Sequence, residues 1–125
     1  MQQTRAAPTR DLDPSALAHR IVDVASDRKA IDVHLLDIRR LTTFADYFVV
    51  MSGTSTIHIR ALANNIEESL DGDGVHPLHI EGSADDGWIL LDYAQVVVHI
   101  FSAQQREFYA LERLWGEGTT IVRIQ

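Results

Sequence analysis

Ser52-Gly53-Thr54-Ser55 separates an apolar run from a stretch of helical periodicity. Backbone N–H groups and the helix dipole at such a turn could hold an anion. The stretch lacks the glycines and lysine of a P-loop and has no GxGxxG spacing. Nucleotidyl transfer would also require two or three close carboxylates for paired metal ions. The following segments offer Glu81 and Asp92, with no Asp-x-Asp pair. The turn therefore reads as a tight loop with a Ser or Thr helix cap. His76, His79 and Glu81 raise the question of metal. A strand would put His79 and Glu81 on one face, but His76 precedes Pro77, and no His-x-x-x-His or His-Glu-x-x-His spacing exists. These histidines read as structural or solvated. His99 lies in an apolar run, where a lone histidine is expected to hydrogen-bond a neighbour, with Asp92 as candidate. Asp71-Gly72-Asp73-Gly74 is too short for an EF-hand. No Gly-x-Ser-x-Gly elbow is present, and the absence of cysteine excludes thiolate chemistry. The expectation is a protein that is not an enzyme and uses no metal and no cofactor.

Large aromatics and charge are more telling. Trp88 follows the acidic turn Asp85-Asp86-Gly87, and Tyr93 follows Asp92. Aromatics at strand ends beside acids are either core caps or interface anchors. The 125-residue chain has a net charge of −7, which disfavours direct nucleic-acid binding. No Lys or Arg lies between Arg60 and Arg106, where eight acidic residues fall: Glu67, Glu68, Asp71, Asp73, Glu81, Asp85, Asp86 and Asp92. They form either a solvated face or a docking surface for a basic partner.

The elements that must position these residues follow from periodicity. Asp13-Pro14 caps a helix carrying Leu17, Ala18, Ile21, Val24 and Ala25, closed by Arg28-Lys29. Residues 30–38 alternate as a strand. Tyr47–Met51 is a central strand buried on both faces. Ile59, Leu62, Ala63, Ile66 and Leu70 mark a second helix. Pro77–Glu81 is a short strand and Gly82–Gly87 a polar turn. Trp88–Asp92 and Gln95–Phe101 are two further strands. Ser102 caps a last helix carrying Phe108, Leu111, Leu114 and Trp115. With 46% apolar and 23% charged residues, this is one α/β domain. A mixed sheet of about five strands with helices packed on it is expected. Residues 1–12 are expected as a flexible tail, 13–118 as the domain and 119–125 as a C-terminal tail, with Ile121–Ile124 extended. No apolar run is long enough for a membrane helix and no secretory signal is evident, so cytoplasmic localisation is expected.

Together these segments resemble one family. They are Asp46-Tyr47-Phe48-Val49-Val50 running into Ser52-Gly53-Thr54-Ser55, then Glu81-Gly82, Trp88-Ile89-Leu90-Leu91-Asp92-Tyr93, Val97-Val98-His99-Ile100-Phe101, and residues 106–115. The order and spacing are similar to the ribosomal silencing factors, or Iojap-like proteins, from about Leu17 to Gly116. Met51 stands where a cysteine is common in the family. The resemblance implies a nucleotidyltransferase-like fold without that catalysis. It implies docking on the uL-fourteen-type protein of the large ribosomal subunit, a block on subunit association and repression of translation under nutrient limitation. It also implies a homodimer in some members when free. The family's partner-binding surface maps onto Trp88, Leu90, Asp92 and Tyr93, with Glu81, Asp85 and Asp86 beside them. A nucleotide-binding protein or nucleotidyltransferase-like enzyme using Ser52–Ser55 and Asp92 is the alternative.

Overall fold

A computed structural model describes residues 13–109 and 119–124. Helix α1 (Pro14–Asp27) begins where the Asp13 carboxylate accepts the Ala16 N–H at 3.1 Å, with Pro14 in the first turn. Leu17, Ala18, Ile21, Val22 and Ala25 form its buried stripe. The helix stops at Arg28, and Lys29 takes a left-handed φ of 65°. Strand β1 (Ile31–Asp37) pairs antiparallel with β2 (Tyr47–Gly53), which is buried throughout. Helix α2 (Thr56–Asp71) follows, then β3 (His79–Ser83), a 3-10 turn (Ala84–Asp86), β4 (Trp88–Asp92), β5 (Val96–Ser102), α3 (Ala103–Tyr109) and β6 (Thr119–Ile124).

The strands form one mixed sheet in the order β3-β4-β5-β2-β1-β6. The β2–β5 pair is parallel and every other pair antiparallel. This agrees with the expected mixed α/β layer and adds an edge strand. Residues 119–124, expected to lie outside the domain as a tail, pair with β1 instead. That pairing corrects the boundary at 118. It joins segments more than eighty residues apart in sequence, which local periodicity does not register. The expected tail 1–12 and the helical positions Leu111, Leu114 and Trp115 lie outside the described residues.

The period of two along each strand divides the core. Val33, Leu35, Val49, Met51, Val98, Ile100, Ile89 and Leu91 face α1 and α2 in the larger cluster. Leu36, Ile38, Ala45, Phe48, Val50, Val97 and Phe101 form a second cluster on the opposite face, joined by Trp88 and Leu90. Helix α3 is held on that second face through Arg106. Its guanidinium donates to Ser52 Oγ at 3.1 Å and lies 3.6 Å from the Asp32 carboxylate. Asp32 sits at the bulge of β1, with φ of 51°, and also meets His34 at 3.1 Å. Arg106 is 6% exposed, while the Asp32 side chain keeps 40% of its surface in water. Arg106→Ala is therefore expected to cost about 2 kcal/mol, less than a pair buried at both ends. Urea unfolding of the parent and variant measures this.

Candidate functional site

Strand β4 carries Trp88, Leu90 and Asp92 on the face away from α1 and α2, all half-buried. Across β3, Glu81 stands opposite Leu90 and His79 opposite Asp92. Across β5, His99 stands opposite Leu90, and Phe101 opposite Trp88. The indole of Trp88 stacks on Phe101 with ring centroids 6.5 Å apart. Trp88, Leu90, Asp92 and Glu81 are thus four neighbours on one apolar and acidic face. Glu81 meets the His79 imidazole at 3.5 Å.

Gly82 permits this arrangement. Its φ is +80°, and a Cβ there would lie 2.2 Å from the Trp88 carbonyl oxygen and 3.0 Å from the indole Cε3. Left-handed backbone is also costly for any residue with a Cβ. The left-handed backbone and the clash add, so Gly82→Ala is expected to destabilise the fold by about 3 kcal/mol or more and lift the indole from its seat. A melting curve and the tryptophan emission maximum read the two effects separately.

Three of the expected surface residues lie elsewhere. Tyr93 is 6% exposed and packs in the larger core, because it follows Asp92 directly and so points to the helix-bearing face. Its hydroxyl has no hydrogen-bond partner among the described residues. Burial, then the charges of Glu67 and Asp71, hold that phenol well above its ordinary range. Asp85 and Asp86 belong to the 3-10 turn at the start of β4. Asp86 accepts the Ser83 hydroxyl at 2.9 Å, and Asp85, with an 80% exposed side chain, reaches toward Arg60 at 3.5 Å. Both line a cavity at the end of the sheet rather than the β4 face.

That cavity, about 610 Å³, opens where the parallel strands β2 and β5 end. Gly53–Thr56, Asp85, Asp86 and Ser102–Gln105 border it. Ligands favour such places in α/β sheets. Here two of the backbone donors, those of Thr54 and His58, already serve side chains of the loop and the helix. The Thr54 N–H donates to His58 Nδ1 at 2.9 Å, which fixes that nitrogen as acceptor and leaves Nε2–H to donate to the Arg28 carbonyl at 2.9 Å. The His58 N–H donates to Ser55 Oγ at 3.0 Å. Asp92 pairs with Val97, at the opposite end of β5 from Ser102, so it does not join Ser52–Ser55. The carboxylates that do border the cavity, Asp85 and Asp86, would repel phosphate.

The histidines are likewise dispersed. His76 pairs with Asp71 on α2, away from His79 and Glu81. Among the described residues no three His, Asp or Glu side chains gather closely enough to hold a metal. The hydrogen bond from His99 to Asp92 that the sequence suggested is not formed. Asp92 Oδ1 accepts the Ala94 N–H at 2.8 Å and sits two residues along β4 from the His99 partner, Leu90. Burial pushes the His99 imidazole down to about 4, so it is neutral. Sequence reasoning did not single out Arg106. Its position in a helix after Ser102 carries no signal of the bulged Asp32 it meets.

The geometry defines an α/β domain with one open aromatic and acidic sheet face and no assembled catalytic cluster among the described residues. The sequence model of the family described as "Ribosomal silencing factor during starvation" matches residues 11–125. The chain is 36% identical over 92 residues to Ribosomal silencing factor RsfS of Bacillus subtilis, covering 74% of this chain and 78% of that protein. It is 31% identical to a mouse protein named Mitochondrial assembly of ribosomal large subunit protein 1, covering 76% of this chain and 43% of that one. A crystal structure of a Chromobacterium violaceum protein superposes with a TM-score of 0.80 at 29% identity, covering 89% of this chain and 94% of that one. This chain belongs to the ribosomal silencing factor family. Among the described residues no helix is long and apolar enough to cross a membrane.

Proposed function

We propose that this protein docks on the uL-fourteen-type protein of the large ribosomal subunit and keeps the small subunit from joining. It thereby represses translation in the cytoplasm when nutrients are limiting. The observation that carries the reading is the alignment of Trp88, Leu90, Asp92 and Glu81 on one open face. An apolar centre flanked by the Glu81 and Asp92 carboxylates suits a basic protein and repels the surrounding RNA. Family membership and the name of the mouse relative support a ribosomal target. No reacting group is required, because a domain seated where two subunits meet acts by occupancy. The free form is a homodimer in this reading.

Co-sedimentation with isolated large and small subunits across a salt series tests the docking. Binding to the large subunit alone, weakening as salt rises, is the expected result. A subunit-joining assay tests the consequence. Association that proceeds unhindered at a large excess of the protein overturns the proposal.

A further inference from the structure

Strand β3 ends the sheet, with β4 on one side and no strand on the other among the described residues. Such an edge offers unpaired backbone groups to any strand that reaches it. The directions of those groups follow from the neighbouring pair. At the two ends of the β4–β5 pair, the Tyr93 N–H donates to the Val96 carbonyl and the Ser102 N–H to the Gly87 carbonyl, both at 2.9 Å. The odd-numbered residues along β4 therefore bond β5, and Trp88, Leu90 and Asp92 bond β3 through Ser83, Glu81 and His79. This leaves the N–H and C=O of Ile80 pointing outward. The side chains at the edge are open as well. Ile80 is 47% exposed and Leu78, just before the strand, 75%. Neither a cation nor a proline guards the run His79–Ser83.

We infer that this edge is the contact between two copies of the chain, β3 pairing antiparallel with β3 of a second copy about a two-fold axis at Ile80. The inference rests on the homodimer reading and names its surface. The choice of occupant comes from self-complementarity. With the axis at Ile80, the two Ile80 residues exchange their free N–H and C=O groups in a reciprocal pair, and their side chains meet on the face that carries α1 and α2. On the other face, His79 of each copy falls opposite Glu81 of the second. Those positions form the closer, non-hydrogen-bonded type of cross-strand pair, where an imidazole facing a carboxylate is favourable. Moving the axis by one residue removes this match. At Glu81 it sets two carboxylates directly opposite each other, and at His79 two imidazoles, both unfavourable. The exposed His79 and Glu81 side chains already lie 3.5 Å apart within one copy, so in the dimer the four groups form one alternating cluster.

Sedimentation equilibrium over a range of protein concentrations tests this, with a thermal melt of each variant. The parent is expected to form a dimer whose share rises with concentration. Ile80→Lys places a cation on the edge and is expected to raise the dissociation constant about ten-fold or more. His79→Glu opposes two carboxylates and is expected to weaken the dimer too. The double exchange of His79→Glu with Glu81→His restores the match across the axis and should recover the dimer. These positions are exposed, so the melts should change little. If Ile80→Lys does not fold, His79→Glu and the double exchange decide the matter by themselves. A dimer that folded Ile80→Lys and His79→Glu leave intact overturns the inference while the homodimer reading stands. A double exchange as weak as His79→Glu alone overturns it as well. A parent that stays monomeric throughout overturns the homodimer reading, and this inference with it.

Discussion

As the pH falls from 6.5 to about 4, the fold is expected to lose about 3 kcal/mol through His99 alone. The imidazole is buried among Phe48, Phe101 and the sheet, and burial disfavours its charged form. In the unfolded chain the same group takes up a proton near its ordinary value. Below that value the unfolded state binds a proton that the native state does not, so acid favours unfolding. The loss begins as the pH drops through 6.5 and is complete once the native group also titrates, near 4. Above this window His99 contributes no pH dependence. Asp37 acts differently. The Arg39 side chain hydrogen-bonded to it holds its carboxyl below the usual range. Its stabilising effect is therefore present above its unfolded value and lost only in stronger acid. The window between 6.5 and 4 isolates His99 from Asp37. Urea unfolding at successive pH values should give His99→Phe a shallower slope there than the parent. Equal slopes would show that the buried imidazole does not govern acid stability.

The same residue shows where sequence reading ends. An apolar run with one histidine announces a buried strand, and β5 is buried as that pattern requires. Which neighbour the ring meets depends on register, and register is set by pairing across β4 and β5. One step of two residues separates Leu90, the actual neighbour, from Asp92, the expected one. The helices were legible because their stripes repeat locally: Leu17 to Ala25 and Ile59 to Leu70 are buried as their spacing demands. The all-apolar Tyr47–Met51 run was legible for the same reason, since a strand covered on both sides has no polar alternation. Tyr93 was not. Beside Asp92 it looks like part of one aromatic and acidic patch, yet adjacent strand residues point to opposite faces. Arg106 and Asp32 were invisible as a pair because a bulge and a helix far apart in sequence bring them together.

Trp88→Ala is expected to weaken binding to the large subunit by about 2 kcal/mol or more, roughly thirty-fold. The indole rests on Phe101 and on the bare backbone of Gly82, so its position is fixed before any partner arrives. A rigid aromatic side chain loses little conformational freedom on docking, and the half-buried residue has some apolar area left to bury. Glu81 is the contrasting case. Its side chain is 53% exposed at the rim, where water and salt screen its charge. Glu81→Gln should cost under about 1 kcal/mol and act mainly on association rate and salt dependence. The two substitutions therefore separate the apolar centre from the acidic rim by an order of magnitude in affinity. Co-sedimentation at fixed salt measures both, at a temperature well below each variant's melting point, since Trp88→Ala also removes the stack on Phe101. A folded Trp88→Ala that keeps the parent's affinity would move the docking surface off β4. A loss in Glu81→Gln as large as that in Trp88→Ala would mean that charge, rather than the buried indole, holds the complex together.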